Sequence, residues 1–260
     1  MTMKTKFKLA ATAVAAALAC VAGPASAQVS DGVIKIGVMN DMSGLYADVT
    51  GPGSVLAARM AVEDFGAAAK GMKVEVLSAD HQNKPDVGST LARTWYDVDK
   101  VDAIFDVPTS SVALAISQLT REKGKAFINS GAATSDLTGK ACSPNTIHWT
   151  YDTWMLANGT GSAIVKTGGD TWFFLTADYA FGHALERDTE QVVLKNGGKV
   201  VGKVRAPINT QDFSSFLLQA QSSKAKIIGL ANAGSDTTNA IKQASEFGIV
   251  QGGQDRKSVV

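Results

Sequence analysis

Strand patterns and helix patterns alternate along this chain, and no other feature of the sequence limits its fold as strongly. Over residues 34–38, apolar side chains alternate with Lys35 and Gly37, as they do in a half-buried strand. Residues 51–53, Gly-Pro-Gly, indicate a turn, and the apolar residues after it recur at three- and four-residue spacing up to Phe65, which predicts a helix. Because strands that alternate with helices form parallel sheets covered by helices on both faces, we predict an α/β fold.

The alternating pattern occurs twice, on either side of residues 149–152. In the first series, the predicted strands are 34–38, 74–77, 101–107 and 126–128, and the predicted helices are 55–65, 87–96 and 112–122. In the second series, the predicted helices are 155–165, 181–195, 213–221 and 237–247, and the predicted strands are 172–175, 199–204 and 227–230. The repetition predicts two lobes, residues 28–150 and residues 151–254.

The first 27 residues have the pattern of a cleaved signal peptide. Three lysines precede an apolar run over residues 9–22, and residues 25–27, Ala-Ser-Ala, fit the small-residue rule for cleavage before Gln28. The apolar run is too short to span a bilayer comfortably, so we expect export rather than anchoring. A lipoprotein signal that ends at Cys20 is the alternative, although Ala17 stands where such a signal prefers leucine.

The charge of the chain limits its macromolecular partners, and its cysteine content limits its disulfides. Without the three leader lysines, 22 basic side chains face 24 acidic ones, which argues against nucleic acid and against an anionic membrane surface as partners. Export permits disulfides, but Cys142 is the one cysteine after the leader, so no bridge can form within the mature chain. Cys142 is therefore either a free buried thiol or a cysteine whose partner has been lost.

The last residues differ in character from the rest of the chain. Residues 251–254 have the composition of a loop that leads to a further strand, but a short polar tail, residues 255–260, follows instead. We expect the native protein to continue past Gln254, with the second lobe incomplete in this chain and the tail non-native. The alternative is a genuine short polar tail.

The sequence contains no recognisable catalytic or metal-binding pattern. His81, His148 and His183 do not stand at metal-ligand spacing from one another or from Cys142, and His148, between apolar residues, is predicted to be a packing residue. There is no Gly-x-Ser-x-Gly elbow and no phosphate-binding loop, and the glycines of residues 51–53 lack the third glycine of a dinucleotide-binding turn. We therefore expect no metal, no cofactor and no enzymatic activity.

Small polar residues follow the third predicted strand. Thr109, Ser110 and Ser111 stand directly before a helix, so their hydroxyls and the first-turn amides together form a receptor for a carboxylate. Ligands of open α/β sheets bind at this carboxyl edge. The simpler interpretation is an ordinary helix cap. A cap needs only one of the three hydroxyls and does not explain the other two.

The loop after the fourth predicted strand is a second candidate. Ala132 and Ala133 are small enough for a ligand to approach the backbone closely, and Thr134 adds a hydroxyl. A plain turn is the competing interpretation.

Aromatic residues occupy several of the remaining loops. Tyr46 follows the first strand, Tyr151 lies between the two series, and Tyr179 and Phe181 follow the strand at 172–175. Aromatic faces can cover an apolar ligand group or an ammonium. Each ring taken alone is explained as well by packing, but their common location at strand ends favours a binding site.

These loops resemble those of the leucine/isoleucine/valine-type periplasmic binding proteins, in order and over residues 33–254. The motifs that carry the resemblance are IKIG at 34–37, MSG at 42–44, NSGAAT at 129–134, TYD at 150–152 and DYAFG at 178–182. The resemblance implies the two-lobed type I fold, in which two α/β lobes are joined by three crossover strands and close on the ligand.

The resemblance also implies a function and a site. It implies a periplasmic receptor that hands an amino-acid-like ligand to the membrane permease of an ABC importer, and that is monomeric at full length. It places the ligand's carboxylate on residues 109–111 and 132–134, and the contacts from the second lobe on Asp178, Tyr179, Phe181 and Asn232. In branched-chain amino-acid binders, the acid that pairs with the ligand's ammonium comes from a segment beyond the end of this chain, and Asn232 stands where those proteins have a tyrosine. Because relatives bind amides, urea and aromatic acids, the ligand itself stays open.

Three other functions share this fold or this export signal. A sensory ligand-binding module differs from a transport receptor in its partner and not in its site. An exported enzyme would need a nucleophile, base or metal constellation. A sugar-type transcription repressor core would need a helix-turn-helix and no export signal.

Overall fold

The computed structural model describes residues 31–249 and, for the backbone alone, residues 255–258. The predicted signal peptide, residues 1–27, lies outside the described residues, as do residues 250–254. Within the part of the chain that is described, no helix is long and apolar enough to cross a membrane.

Two parallel sheets organise the chain. Sheet 1 contains β1 Ile34–Asn40, β2 Val74–Asp80, β3 Ala103–Asp106, β4 Ala126–Asn129 and β5 Thr146–His148, in the order β2-β1-β3-β4-β5. Sheet 2 contains β6 Thr171–Ala177, β7 Lys199–Ala206, β8 Ile227–Ala231 and β9 Asp255–Ser258, in the order β7-β6-β8-β9. Every neighbouring pair of strands is parallel, so the predicted α/β class is confirmed. The pairing of β9 with β8 does not test whether residues 255–260 are native, so their non-native origin stays a prediction.

Helices connect the strands. They are α1 Gly51–Phe65, α2 Pro85–Thr94, α3 Ser110–Lys123, α4 Thr153–Leu156, α5 Ser162–Lys166, α6 Ala180–Lys195, α7 Ser214–Ser222 and α8 Gly234–Glu246. A π-helical turn, Ala157–Gly161, joins α4 to α5. Sheet 1 carries α1 to α3 and sheet 2 carries α4 to α8, which gives the two lobes, lobe 1 and lobe 2.

The structure corrects the sequence prediction at three places. Residues 51–53 are the first turn of α1 and not a separate turn, because Pro52 is tolerated in a first turn, where its missing N–H would have no partner. Strand β3 ends at Asp106 and not at Val107, because both residues adopt positive φ, 74° and 59°. Strand β5 was not predicted at all, because of its three residues only Ile147 is strongly apolar.

The lobes differ in how well their helices are covered. In lobe 2, α6 buries residues from Phe181 to Val193 along its length. In lobe 1, α1 buries only Gly51 and Val55, while Leu56 and Met60 are more than half exposed. The predicted apolar face of α1 therefore has little cover from the described residues.

Candidate functional site

The carboxyl ends of strands from both sheets surround one cavity of about 310 Å³. Lobe 1 supplies the loops after β1, β3, β4 and β5, and lobe 2 supplies the head of α6 and the turn between β8 and α8. The lining residues are Tyr46, Val49, Thr50, Pro108, Ser130, Gly131, Ala133, Thr150, Tyr151, Phe181, Ala233 and Gly234. None of these lining residues carries a charge, so the cavity selects by shape, aromatic contact and hydrogen bonding.

The loop that presents Tyr46 is organised by Asp41, a fully buried carboxylate. Its Oδ1 accepts from the Gly44 amide at 2.7 Å, and its Oδ2 accepts from the Tyr46 amide at 2.8 Å and from Asn83 Nδ2 at 2.6 Å. Burial raises the pKa of Asp41, but these hydrogen bonds, with one from Ser43, outweigh it and hold the pKa below its ordinary value. Asp41 therefore stays ionised and fixes the loop.

Asn83 extends this network to the loop after β3. Its Oδ1 accepts a hydrogen bond from Thr109 Oγ1. Thr109 is the N-cap residue of α3, yet its side chain makes no capping bond, so the interpretation of Thr109 as an ordinary cap is wrong. The hydrogen bonds that link Asp41, Asn83 and Thr109 join the loops that follow β1, β2 and β3. All three residues are buried.

The loop after β4 is held by its own polar groups. Asn129 accepts from the Ala132 amide at 3.0 Å and donates to the Ala132 carbonyl at 2.6 Å, and His148 Nε2 donates to the same carbonyl at 2.8 Å. His148 is thus a hydrogen-bonded packing residue, as predicted. Among the described residues, the amides of Gly131 and Ala133 find no hydrogen-bond partner, and both residues line the cavity.

The predicted carboxylate receptor lies beside the cavity and does not line it. Thr109 and Ser110 are buried, and Ser110 Oγ accepts from the Thr134 amide at 3.3 Å. Thr134 Oγ1 in turn accepts from the Asp136 amide at 3.3 Å. Ser111 is partly exposed. In this structure one hydrogen bond therefore joins the two loops, while the Thr109 hydroxyl is bonded to Asn83 and the Thr134 hydroxyl is bonded within its own loop.

Lobe 2 meets lobe 1 through aromatic side chains. The Tyr179 hydroxyl is hydrogen-bonded to the Tyr46 hydroxyl across the cleft. The ring centroids of Tyr179 and Phe181 lie 6.0 Å apart. Burial raises the pKa of both tyrosines, so both phenols stay protonated and can donate. Asp178 points elsewhere, since it is half exposed and pairs with His183 at 2.7 Å.

Two buried polar side chains stand behind this side of the cavity. Asn232 Oδ1 accepts from Thr237 Oγ1 at 2.7 Å, while its Nδ2 has no partner among the described residues. Asp236 Oδ2 accepts from the Asn209 amide at 3.2 Å, and its Oδ1 likewise has none. Burial raises the pKa of Asp236 to about 6, despite the backbone donors of Asn209 and Thr210.

The structure thus brings some of the predicted residues to the cavity and places others behind it. Those that line it are Tyr46, Ala133, Tyr151 and Phe181. The predicted residues that do not line it are Thr109, Ser110, Ser111, Ala132, Thr134, Asp178, Tyr179 and Asn232.

Sequence reasoning missed several lining residues. These are Val49, Thr50, Pro108, Ser130, Gly131, Thr150, Ala233 and Gly234. Ser130, Gly131 and Thr150 lie within the NSGAAT and TYD motifs quoted above, and Pro108, Ala233 and Gly234 follow shortly after a strand. Val49 and Thr50 carry neither signal.

The sequence also gave no sign of a polar cluster where the lobes join. Asp188 of α6 is buried, and its Oδ2 accepts from Ser135 Oγ at 2.7 Å and from Thr153 Oγ1 at 2.6 Å. Arg187 bonds to Asp136 and to Asp188, each at about 3 Å. This cluster ties α6 to the loop after β4.

Two further features lie outside the cavity. A larger groove, of about 990 Å³, runs between α3 and α6, but it lies along helix flanks and not at strand ends. Its rim includes Cys142, which is free and exposed, so the interpretation of Cys142 as a buried thiol is wrong. Among the described residues, no group of histidine, cysteine and acidic side chains could hold a metal ion.

Comparison with known proteins places this geometry in a family. The family model described as "Periplasmic binding protein" matches residues 33–256. The Leu/Ile/Val-binding protein homolog 7 of Brucella suis is 28% identical over 249 residues, which cover 90% of this chain and 59% of that protein. Homolog 6 of Brucella melitensis is 25% identical over 239 residues, which cover 91% of this chain and 60% of that protein.

Solved structures give the same result. A periplasmic binding protein from Burkholderia mallei is 55% identical, with a TM-score of 0.86, over 88% of this chain and 61% of that one. A branched-chain amino acid ABC transporter periplasmic ligand-binding protein from Burkholderia xenovorans is 40% identical, with a TM-score of 0.70, over 86% and 60%. An ABC transporter solute-binding protein from R. palustris, solved with 4-hydroxybenzoate, is 26% identical, with a TM-score of 0.77, over 87% and 61%.

The chain spans about 60% of the length of these relatives. Over that span, the family match is consistent with the structure, which has two parallel sheets and a cavity between their carboxyl edges. The chain is similar to Leu/Ile/Val-binding protein homologs and belongs to the periplasmic binding protein family.

Proposed function

We propose that this protein is an extracytoplasmic receptor that binds an amino acid or a related small carboxylate or amide and delivers it to the membrane permease of an ABC importer. The observation that carries the proposal is the cavity between the lobes, at the edge where ligands of parallel α/β sheets bind. Its volume lies near the lower end of the range for small-molecule sites.

The lining suits a small ligand with one polar end. The unpartnered amides of Gly131 and Ala133 can donate to a carboxylate or amide oxygen. The faces of Tyr151 and Phe181 can cover an apolar body. The described lining holds no histidine, cysteine, lysine or acid.

The family and the leader support the proposed partner and location. The similar structures from B. xenovorans and R. palustris are named as ABC transporter components, which supports transport over the sensory alternative. The signal pattern of residues 1–27 supports export to the periplasm.

A ligand screen tests the proposal. Thermal-shift measurements against amino acids, amides and aromatic acids should find a compound that stabilises the protein. At 100 times its dissociation constant, such a ligand contributes about 2.7 kcal/mol. If no compound of these classes raises the melting temperature, the proposed ligand class is wrong.

A matched pair of variants ties binding to the cavity. Tyr151 lines the cavity and is 44% exposed, whereas Trp149, two residues away, is 76% exposed and does not line it. With the compound found in the screen, Tyr151→Ala should weaken binding about tenfold or more, and Trp149→Ala should not. Equal affinities of Tyr151→Ala and the unmodified protein would place the ligand elsewhere.

A further inference from the structure

A strained turn leads from β3 to the cavity. Asp106 and Val107 both have positive φ, 74° and 59°, and the next residue, Pro108, lines the cavity. Aspartate tolerates the left-handed region, but a β-branched residue such as Val107 is strained there. Residues in such conformations persist only where the surrounding structure holds them, and they cluster at functional sites.

The carboxyl group of Asp106 holds this turn in place. The side chain is buried, its Oδ2 accepts from Asn40 Nδ2 at 3.1 Å, and its Oδ1 accepts from Ser130 Oγ at 2.9 Å. Asn40 ends β1 and Ser130 follows β4, so Asp106 links the ends of the two strands that flank β3 in the sheet. Val107 is fully buried, and its amide donates to the Met39 carbonyl at 3.0 Å.

The same turn packs against the wall of the cavity. Gly131 follows Ser130 and lines the cavity, and a Cβ built on it would lie 2.7 Å from Pro108 Cα and 2.8 Å from Asp106 Oδ1. Because Pro108 Cα is a backbone atom, no side chain fits at residue 131 unless the turn itself moves. The Gly131 amide has no hydrogen-bond partner among the described residues. The position of the Gly131 backbone therefore depends on the groups packed around it.

We infer that Asp106 is a positioning residue of the cavity, whose carboxyl group acts through Ser130 and Pro108 to fix the backbone of Gly131 in the cavity wall. Asp106 does not line the cavity itself. The inference rests on the proposed function in one respect, that the cavity is the ligand site. Groups that bind a ligand must be held within about 0.5 Å of their productive geometry, and an amide without a partner of its own cannot provide that precision.

Two substitutions of Asp106 separate its hydrogen bonds from its backbone conformation. Asp106→Gly removes both hydrogen bonds but still accepts the positive φ. Asp106→Asn also tolerates this φ, and its amide can accept from Asn40 and donate to Ser130 Oγ, so it should restore the arrangement. Lys100→Gly is the matched control, because Lys100 also has a positive φ, 62°, but is exposed and does not line the cavity.

NMR order parameters of the backbone N–H groups in the ligand-free protein report the effect. In Asp106→Gly, we expect the order parameter of Gly131 to fall from about 0.85, typical of rigid backbone, to below about 0.6. Ala132 should stay rigid, since Asn129 holds both its amide and its carbonyl. Asp106→Asn and Lys100→Gly should leave both values as they are in the unmodified protein.

Ser130→Ala removes the same hydrogen bond from its other end and keeps the turn residues intact. It should also lower the order parameter of Gly131, and it provides the test if Asp106→Gly does not fold. An unchanged Gly131 in Ser130→Ala, or a Gly131 as mobile in Asp106→Asn as in Asp106→Gly, would overturn the inference. Because no ligand is needed, these results are independent of the ligand screen, and either proposal can fail while the other holds.

Discussion

Each lobe contains a buried side chain, His81 in lobe 1 and Asp236 in lobe 2, whose pKa burial shifts far from its ordinary value, but the two side chains respond to pH in opposite directions. In lobe 1, burial lowers the pKa of His81 to about 4. In lobe 2, burial raises the pKa of Asp236 to about 6. The cause is the same for both side chains: loss of solvation in a low-dielectric interior disfavours the charged form, which is the protonated form of histidine and the deprotonated form of aspartate.

The comparison shows how acidification should redistribute stability within one chain. A histidine with a depressed pKa contributes stability that is fully present above its unfolded pKa of 6.5 and is lost as the pH falls toward 4. An acid with a raised pKa contributes stability that is fully present below its unfolded pKa of 3.8 and is lost as the pH rises through 6. Between these limits, lobe 1 weakens and lobe 2 strengthens as the pH falls, so a measurement on the whole chain sees the two effects cancel in part.

The largest expected effect comes from Asp41, which organises lobe 1 alone. Asp41→Ala leaves the donors of Gly44, Tyr46 and Asn83 without their acceptor, and those of Tyr46 and Asn83 are buried. We expect the free energy of unfolding to fall by about 3–4 kcal/mol, measured by urea denaturation. Asp48→Ala, at an exposed position, is the control and should change it by less than about 0.5 kcal/mol. An equal loss in both variants would mean that the Asp41 network does not organise lobe 1.

The second prediction concerns the acid sensitivity of lobe 1. Protonation of His81 should cost about 3 kcal/mol of unfolding free energy at pH 4 relative to pH 7. His81→Gln, which keeps an acceptor for the Asn83 amide, should lose this part of the pH dependence, as followed by urea melts from pH 7 to pH 4. His183→Gln, which removes a histidine whose side chain is 40% exposed, is the control. A slope that survives in His81→Gln would show that another group titrates.

The smallest effect is expected in lobe 2 and has the opposite sign. Asp236→Asn removes a buried charge but keeps an oxygen that can accept from the Asn209 amide. We expect a gain of about 1–2 kcal/mol at pH 8 and none at pH 4, where the acid is already protonated. Calorimetric melts at the two pH values measure it. A loss of stability at pH 8 would mean that the charge of Asp236 has a partner after all, and the contrast between the lobes would fail.

The sequence predicted the parallel α/β architecture because strand patterns alternate with helix patterns, and because strands such as residues 172–175 are apolar on both faces, as buried parallel strands are. It could not reveal the network beneath the cavity. Asp41 and Asn83 are 42 residues apart and meet only because β1 and β2 are neighbours in the sheet. Aspartate and asparagine in loops are too common to single out.

The hydroxyl cluster shows a different limit. Thr109 and Ser110 stand where a receptor for a carboxylate is expected, and the structure places them beside the cavity. What a pattern of hydroxyls cannot tell is which partners those hydroxyls take. Here Thr109 donates to Asn83 and Ser110 accepts from Thr134, and both partners come from other loops.

The order of strands within each sheet has a consequence for how the chain folds. Strand β1 lies between two strands that follow it much later, since Ile34 pairs with Val74 and Ile36 with Ala103. Trp172 likewise pairs with Ile227. Pairing strands this distant in sequence costs loop-closure entropy before the stabilising contacts form. Folding should therefore be slow, in the range of about milliseconds to seconds or longer. Until these pairs form, the unpaired edges of β1 and β6 can pair with strands of other unfolded copies. We therefore expect aggregation to be a risk during folding and not in the folded protein.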